Sequence, residues 1–316
     1  MHKTDLGDII RIGKKHRFDL SLYYDCFNHH HYTKYWPIPV PFDLGNETST
    51  TFSEIELPFA CRDIGLGKTI NYFFTTDGMV IIHSDFLSEG LTKQENSIVM
   101  NSKNPNPPFY ILDMKKVVKK ALEKEQPIEN PSYEVKRVTN DYSSIYIETT
   151  DGLLIRVGGN DVVAYPYLRN RIKILTSSTF DSSLLVVTFD DTLFFFTQGS
   201  PRENPDFQHG YEIVLAAVGP DAVAIVTKDN VLHTMGPNTY GSCGGGGNWG
   251  FTQFNHFEKK IISVKCGYLH MVLLFEDGSL MSTGYNNLKQ CLVLDSDSLG
   301  TFTAPSMTLK NTSMGM

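Results

Sequence analysis

Between Val264 and Leu292 apolar and polar positions follow a fixed order: an apolar run Met271–Phe275, the polar trio Glu276-Asp277-Gly278, and a second apolar run from Leu280. Runs this short, split by Asp-Gly, predict a β-hairpin, and Asp-Gly suits a type I′ turn because both central residues there need φ > 0. Cys266-Gly267 and His270 precede the hairpin, and Gly284-x-Asn286 and Gln290-Cys291-Leu292 follow it. One hairpin cannot bury its own apolar face, so the pattern predicts further copies of itself.

Copies are present. Asp229-Asn230 takes the turn position of a second unit, with Val218-Gly219 ahead of it, Gly236-x-Asn238 behind it, and Cys243 in register with Cys291. Asp151-Gly152 lies between Ile145–Ile147 and Leu153–Ile155, followed by Gly158-x-Asn160. Asp77-Gly78 follows Phe73-Phe74, with Gly67 at the position of Gly267. Asp190-Asp191 forms a weaker copy between Leu184–Thr188 and Leu193–Phe196, and Leu6-Gly7 with Ile9, Ile10 and Gly13 is half a copy. The closer turn anchors are spaced by roughly 40–50 residues, as expected of four-stranded blades. The runs Ser97–Asn101 and Phe109–Leu112 fall in a wider gap and are where a further blade is expected.

Two stretches leave the pattern. Asp113–Gln126 predicts a helix: Asp113 caps it, Val117/Ala121 and Val118/Leu122 form a narrow apolar stripe, and Pro127 follows. Its lysines Lys115, Lys116, Lys119, Lys120 and Lys124 make a basic face. Leu22–Pro41 is dense in aromatics and histidine, and its Tyr32, Tyr35 and Trp36 suit a protein interface, where large aromatic side chains act as anchors. The glycine run Gly244–Gly247 reads as the opening of a loop carrying Trp249 and Phe251. Tyr32, Tyr35, Trp36, Lys115, Lys116, Lys119 and Trp249 are the candidate partner-binding residues.

The repeated unit resembles that of the regulator of chromosome condensation family. The likeness is closest over 264–292, where Thr283 stands for a Trp and Leu288 for a Gly, and residues 218–244 keep the Asn238-x-x-Gly241-x-x-Gly244 tail. TFSEIELPFACRDIGLG (51–67) looks like the family's lead-in segment, and Phe302–Pro305 like the start of another. The resemblance implies an all-β fold: a single β-propeller domain over 1–316, seven-bladed or six-bladed, with insertions at about 22–50 and 113–127. It also implies a ring closed by N- and C-terminal strands, with Leu6–Gly13 in one blade beside C-terminal strands. The family includes the exchange factor for the GTPase Ran, which also binds nucleosomes. Others are interaction modules in ubiquitin ligases, kinases and ciliary proteins. A non-catalytic interaction scaffold is therefore the expected function, in a cytoskeletal or ciliary setting, with guanine nucleotide exchange on a Ran-like small GTPase as the alternative.

Composition narrows this reading. With 28 basic and 35 acidic residues and a net charge of −7, the chain is a poor match for nucleic acid or an anionic membrane as main partner. No apolar run is long enough to span a bilayer, and Met1–Asp5 does not begin a signal peptide. The 5 cysteines contain no Cys-x-x-Cys and read as buried free thiols of a reducing compartment, cytoplasmic or nuclear. Three adjacent histidines, His29–His31, point to alternate sides of an extended run and do not converge on a metal. Gly244–Gly247 lacks the Gly-Lys-Ser/Thr ending of a phosphate loop. His270 has no Asp or Ser at motif spacing, and the resemblance gives it a structural role. No catalytic residue, cofactor site or metal site is expected, and the partner is a protein.

Overall fold

Apolar runs joined by turns too short for a crossover can pair only with their neighbours, in antiparallel sense. A computed structural model describes residues 10–12, 16–19, 54–56, 60–66, 70–84, 91–98, 109–123, 125, 128–158, 161–178, 180–197, 200–203, 211–245, 248–254, 257–287 and 290–306. They fall into two compact units, the first containing Asp8–Gly210 and the second Tyr211–Met316.

In the first unit, β1 (Ile10–Ile12), β2 (His16–Asp19) and β3 (Glu54–Glu56) form a three-stranded sheet in that order. Next come β4 (Cys61–Leu66), β5 (Ile70–Thr75), β6 (Val80–Ser84), β7 (Thr92–Ile98) and β8 (Phe109–Leu112), then helix α1 (Met114–Leu122). Two four-stranded meanders follow: β9 (Val135–Asn140), β10 (Ile145–Thr149), β11 (Leu154–Gly158) and β12 (Asp161–Tyr165), then β13 (Ile172–Ser177), β14 (Ser183–Thr188), β15 (Leu193–Thr197) and β16 (Ser200–Glu203). The second unit holds β17 (Ile213–Val218), β18 (Val223–Thr227), β19 (Leu232–Gly236) and β20 (Asn248–Phe254), then β21 (Ile261–Cys266), β22 (His270–Phe275), β23 (Leu280–Tyr285) and β24 (Ser298–Thr303), again as two meanders.

Two expectations change. The runs near 97–101 and 109–112 make no separate blade: β8 pairs with β6 as the fourth strand of its sheet, and β7 adds a fifth on the flank of β8. Among the described residues there are six sheets. The expected closing strands fall largely on residues 1–9, 13–15 and 307–316, which lie outside the described residues; among the described pairings β1 pairs with β2, and β24, which contains Phe302, pairs with β23. Finally, the Asp-Gly turns are not type I′. Positive φ occurs only at the second residue of each pair, Gly78, Gly152, Asp191, Asn230 and Gly278. Each is a β-turn followed by one left-handed residue, a three-residue loop that closes on the next strand.

A threonine locks four of these turns. Thr75, Thr149, Thr188 and Thr227 each donate a hydroxyl hydrogen bond to the carboxylate two residues on, Asp77, Asp151, Asp190 and Asp229. The same oxygen accepts the amide four residues on from Met79, Leu153 and Thr192, and at Thr227 the hydroxyl and the amide both donate to the Val231 carbonyl. At Phe275 the threonine is missing, and Ser279 takes over by donating its amide and hydroxyl to Asp277.

The sheets pack through β-branched and aromatic side chains. Ile70, Tyr72, Phe74, Val138, Ile145 and Ile155 share one cluster with Val117, Val118 and Ala121 of α1, whose apolar side rests on β11 and β12. Tyr146, Leu154, Tyr165, Leu184, Val186 and Phe196 form a second cluster, and Ala224, Leu232, Cys243, Met271 and Leu273 a third within the second unit. Each first strand after the opening sheet carries a register irregularity at its second residue, Arg62, Lys136, Lys173, Val214 and Ile262. A bulge re-aims the extra residue out of the ladder, so Val214 and Ile262 stay partly in solvent.

Candidate functional site

The turn ends of the sheets present a series of equivalent tips. The residue after each locking position, Thr76, Thr150, Phe189, Lys228 and Glu276, is exposed, and its amide donates to a carbonyl just ahead of its sheet's first strand: Ala60, Glu134, Arg171, Glu212 and Lys260. The backbone is fixed and the side chain is left to solvent. Four tips carry a polar or charged residue. The fifth is Phe189, 65% exposed.

Phe189 has aromatic and arginine neighbours. Pro166 opens a short 3-10 turn, Pro166–Leu168, which buries Leu168 and turns Tyr167 outward, 45% exposed. The Tyr167 ring lies 6.2 Å from Phe194 and 6.3 Å from Tyr165, so a strip of rings runs from surface to core. Arg171 links Tyr167 to the tip: its guanidinium donates to the Tyr167 carbonyl (3.5 Å) and to Asp190 (3.3 Å), and its own carbonyl receives the Phe189 amide (2.8 Å). Arg169 holds Asp151 of the preceding turn at 2.6 Å, and Lys173 pairs with Asp191 at 2.8 Å. Tyr133, also exposed, stands beside that preceding turn, where the Ser132 and Thr150 hydroxyls meet at 2.7 Å.

The electrostatics match this geometry. The Thr188 hydroxyl, and then Arg171, keep the Asp190 carboxyl below its ordinary pKa. Burial pushes Asp151 upward, but bonds from Thr149 and Arg169 outweigh it and leave the group lowered. Burial raises the Tyr167 phenol to about 12, so it stays a neutral donor. The arrangement offers large rigid rings, bidentate-capable guanidinium groups and fixed carboxylates, the composition of protein-interface anchors. Among the described residues no group of three or more His, Cys, Asp and Glu is placed to hold a metal ion.

A second set of rings lies on the loops at the other end of the sheets in the second unit. Tyr240, in the β19–β20 loop, and Tyr268, in the β21–β22 loop, are both 44% exposed, and the Tyr240 ring lies 4.7 Å from Tyr285. His270 is buried within the same hairpin. A Cβ on Gly267 would stand 2.1 Å from its ring, which explains the Cys-Gly-x-x-His spacing as packing.

Residues 261–290 match the family described as regulator of chromosome condensation (RCC1) repeat. Residues 261–290 thus form one repeat of this type. The chain is similar in fold to Prp20p from Saccharomyces cerevisiae, in a structure described with its binding properties to Gsp1p and histones. The two are 14% identical with a TM-score of 0.59, over 82% of this chain and 68% of that one. Yeast RCC1 (Prp20) in the structure with bound Kap60 gives 14% identity and a TM-score of 0.59 over 82% and 66%. Human WBSCR16 gives 14%, 0.58, 82% and 71%. Identity this low shows the fold alone, that of an all-β RCC1-type propeller. Comparison with curated proteins returned no match.

The residues singled out from the sequence fare differently. Lys115, Lys116 and Lys119 lie together on the solvent side of α1, opposite Val117, Val118 and Ala121. The Asp113 carboxylate caps this helix by accepting the Lys115 and Lys116 amides. Trp249 and Phe251 are not in a loop: both belong to strand β20, which pairs with β19. Tyr32, Tyr35 and Trp36 lie outside the described residues. Sequence reasoning missed Tyr133, Tyr167, Phe189, Tyr240, Tyr268 and Tyr285. The signal available for Phe189 was its break with the polar tips of the aligned copies.

Proposed function

We propose that the chain is a non-catalytic protein-interaction scaffold that engages a partner through the turn ends of the β9–β12 and β13–β16 sheets. The observation that carries the reading is Phe189: an exposed phenylalanine on a rigid tip whose four counterparts are polar. The fold does not need it there, and a ring held at a fixed position contributes to binding at little entropic cost. Arg169, Arg171, Tyr133 and Tyr167 supply the surrounding anchors, and the basic side of α1 a second contact for an acidic surface. The setting we propose is a cytoskeletal or ciliary assembly in the cytoplasm or nucleus, supported by the use of such propellers as interaction modules in ciliary proteins.

Nucleotide exchange on a small GTPase is the competing reading, favoured by the fold shared with Prp20p, whose binding to Gsp1p is described. Exchange is catalysis by binding and needs no acid or base of its own. One experiment separates the two. The full chain and its Phe189→Ser form are used to capture partners from native extract, with EDTA in one arm and GTP with magnesium in the other. Large partners retained in both arms and lost with Phe189→Ser support the scaffold. A small GTPase held only in the EDTA arm replaces it with exchange. Imaging of the tagged chain tests the setting.

A further inference from the structure

We propose that the bulged starts of β4 and β9 bind a short acidic peptide segment of a partner, one carboxylate seated on the Arg62 guanidinium and a neighbouring one on the Lys136 ammonium. This names the chemistry of a partner at the first unit and rests on the scaffold reading.

The fold itself lines these cations up. The register irregularity takes Arg62, Lys136 and Lys173 out of their ladders at the same position of three first strands. Arginines then stitch each bulge to the next. Arg62 donates from Nη2 to the Val135 and Lys136 carbonyls (3.2 and 3.4 Å), and Arg137 donates to the Ile172 and Lys173 carbonyls (2.9 and 3.2 Å). The Arg62 guanidinium also lies over the ring of buried Phe74, 3.8 Å from its centre. A guanidinium held on one face by a ring and at one nitrogen by two carbonyls loses little freedom when a carboxylate arrives. Both of its hydrogen bonds among the described residues come from Nη2, which leaves Nε and Nη1 for a ligand, and Arg62 is exposed.

The carboxylates around the row are already taken up. Glu148, 1% exposed, accepts from Arg137 and from the Lys136 ammonium, the latter at 2.8 Å. Arg137 alone balances it, so Lys136, 47% exposed, brings surplus charge. Lys173 pairs with Asp191 at 2.8 Å, and Asp63 accepts from the Tyr72 hydroxyl (2.8 Å) and the Ile64 amide (2.9 Å). Exposed Glu134, just ahead of β9, pairs with neither Arg62 nor Lys136, and among the described residues no carboxylate pairs with Arg62. The bulge itself needs no charge, since Val214 and Ile262 occupy the same position in the second unit. Surplus cations that the fold does not require fit an acidic occupant, and the guanidinium fork matches a carboxylate with two bonds. A short segment fits better than a long polyanion, which the rest of a chain of net charge −7 repels.

The test uses the full chain and fluorescence anisotropy with a labelled short Glu-Gly peptide and its Lys-Gly counterpart, at low and at physiological ionic strength, with inorganic phosphate as competitor. The variants are Lys136→Met, which keeps the stem and leaves Glu148 to Arg137, then Arg62→Gln, the pair Lys115→Gln with Lys119→Gln on the basic side of α1, and Phe189→Ser. Thermal melts confirm that each is folded; where Arg62→Gln is not, Lys136→Met decides. The Glu peptide binds with a Kd of about 100 µM at low ionic strength and more weakly at physiological, and Lys136→Met and Arg62→Gln each weaken it by about fivefold. The α1 pair and Phe189→Ser leave it unchanged, so failure here is separate from failure of the scaffold reading, which capture from extract decides. Equal binding of both peptides, indifference to Lys136→Met, loss with the α1 pair instead, or no binding up to millimolar peptide overturns the proposal. Free phosphate that binds as tightly as the peptide reassigns the row to a small anion and overturns it as well.

Discussion

Asn286 is the perturbation that tests most directly how the loop end is held. Its side chain is fully buried and makes three hydrogen bonds: the amide donates to the Val293 and Ser296 carbonyls, both at 2.6 Å, and the oxygen accepts the Cys291 amide at 2.8 Å. Asn286→Ala leaves those groups unpaired where water has little access. At about 1 kcal/mol for each bond, and more for a group left fully desolvated, the loss comes to about 3 kcal/mol. Asn238 occupies the matching position in the preceding sheet, but its oxygen accepts only the Cys243 amide, at 2.8 Å. Its φ of 58° adds a backbone cost when alanine replaces it, so Asn238→Ala loses about 2 kcal/mol. Asn286→Asp keeps the acceptor for Cys291 but turns a carboxylate toward two carbonyls, and is at least as damaging as alanine. Urea unfolding gives the stabilities, and hydrogen exchange at the Cys291 amide reports the loop itself. An Asn286→Ala loss below about 1 kcal/mol, or unchanged protection at Cys291, refutes the reasoning that this side chain pins the loop.

Other outcomes follow from the same structure. Gly284→Ala combines φ +101° with a Cβ 2.3 Å from the Leu269 carbonyl and costs about 3 kcal/mol, whereas Gly78→Ala, at φ +87° with nothing within 4 Å, costs about 1 kcal/mol; equal melting points for the two refute the clash argument. Burial holds the His270 imidazole at about 4, below its ordinary 6.5, so the unfolded chain binds a proton in this window that the native chain does not. Stability is then complete above pH 6.5 and falls as the pH drops toward 4, by up to about 3 kcal/mol, a slope that His270→Asn removes in urea titrations at stepped pH. Burial raises the thiols of Cys61 and Cys291 to about 12 and of Cys243 to about 11, so a disulfide reagent at mildly alkaline pH reacts with them only as fast as the chain opens; rapid labelling of the native chain contradicts that.

Much of the fold was legible because the signals were local. Asp-Gly, Asp-Asn or Asp-Asp pairs marked one hairpin in each of five sheets, and Asp113 with the Val117/Ala121 spacing marked α1. The turn type was misread because Asp-Gly suits two geometries. A side chain that bonds the turn carboxylate accompanies the observed geometry, the threonine two positions earlier in four turns and Ser279 in the fifth, and only the residue after the aspartate is left-handed. Phe109–Leu112 looked like part of a separate blade because pairing with β6 skips over β7, and sequence order carries no trace of that swap. The candidate surfaces were least visible. Tyr240 and Tyr285 are far apart in sequence yet their rings lie 4.7 Å apart, and Gly284 lets the backbone beside Tyr285 approach Leu269, next to Tyr268. Arg171 serves Phe189 from outside its hairpin, through one carbonyl and one guanidinium.

The pinned tip amide has a consequence for how such chains diversify. At Thr76, Thr150, Phe189, Lys228 and Glu276 the backbone bond that holds the turn is indifferent to the side chain attached. A residue there can pass from polar to aromatic to charged while the strands beneath keep their register. The repeat therefore separates heritable architecture from heritable recognition, and a lineage carrying it can exchange one partner for another by single substitutions at its tips.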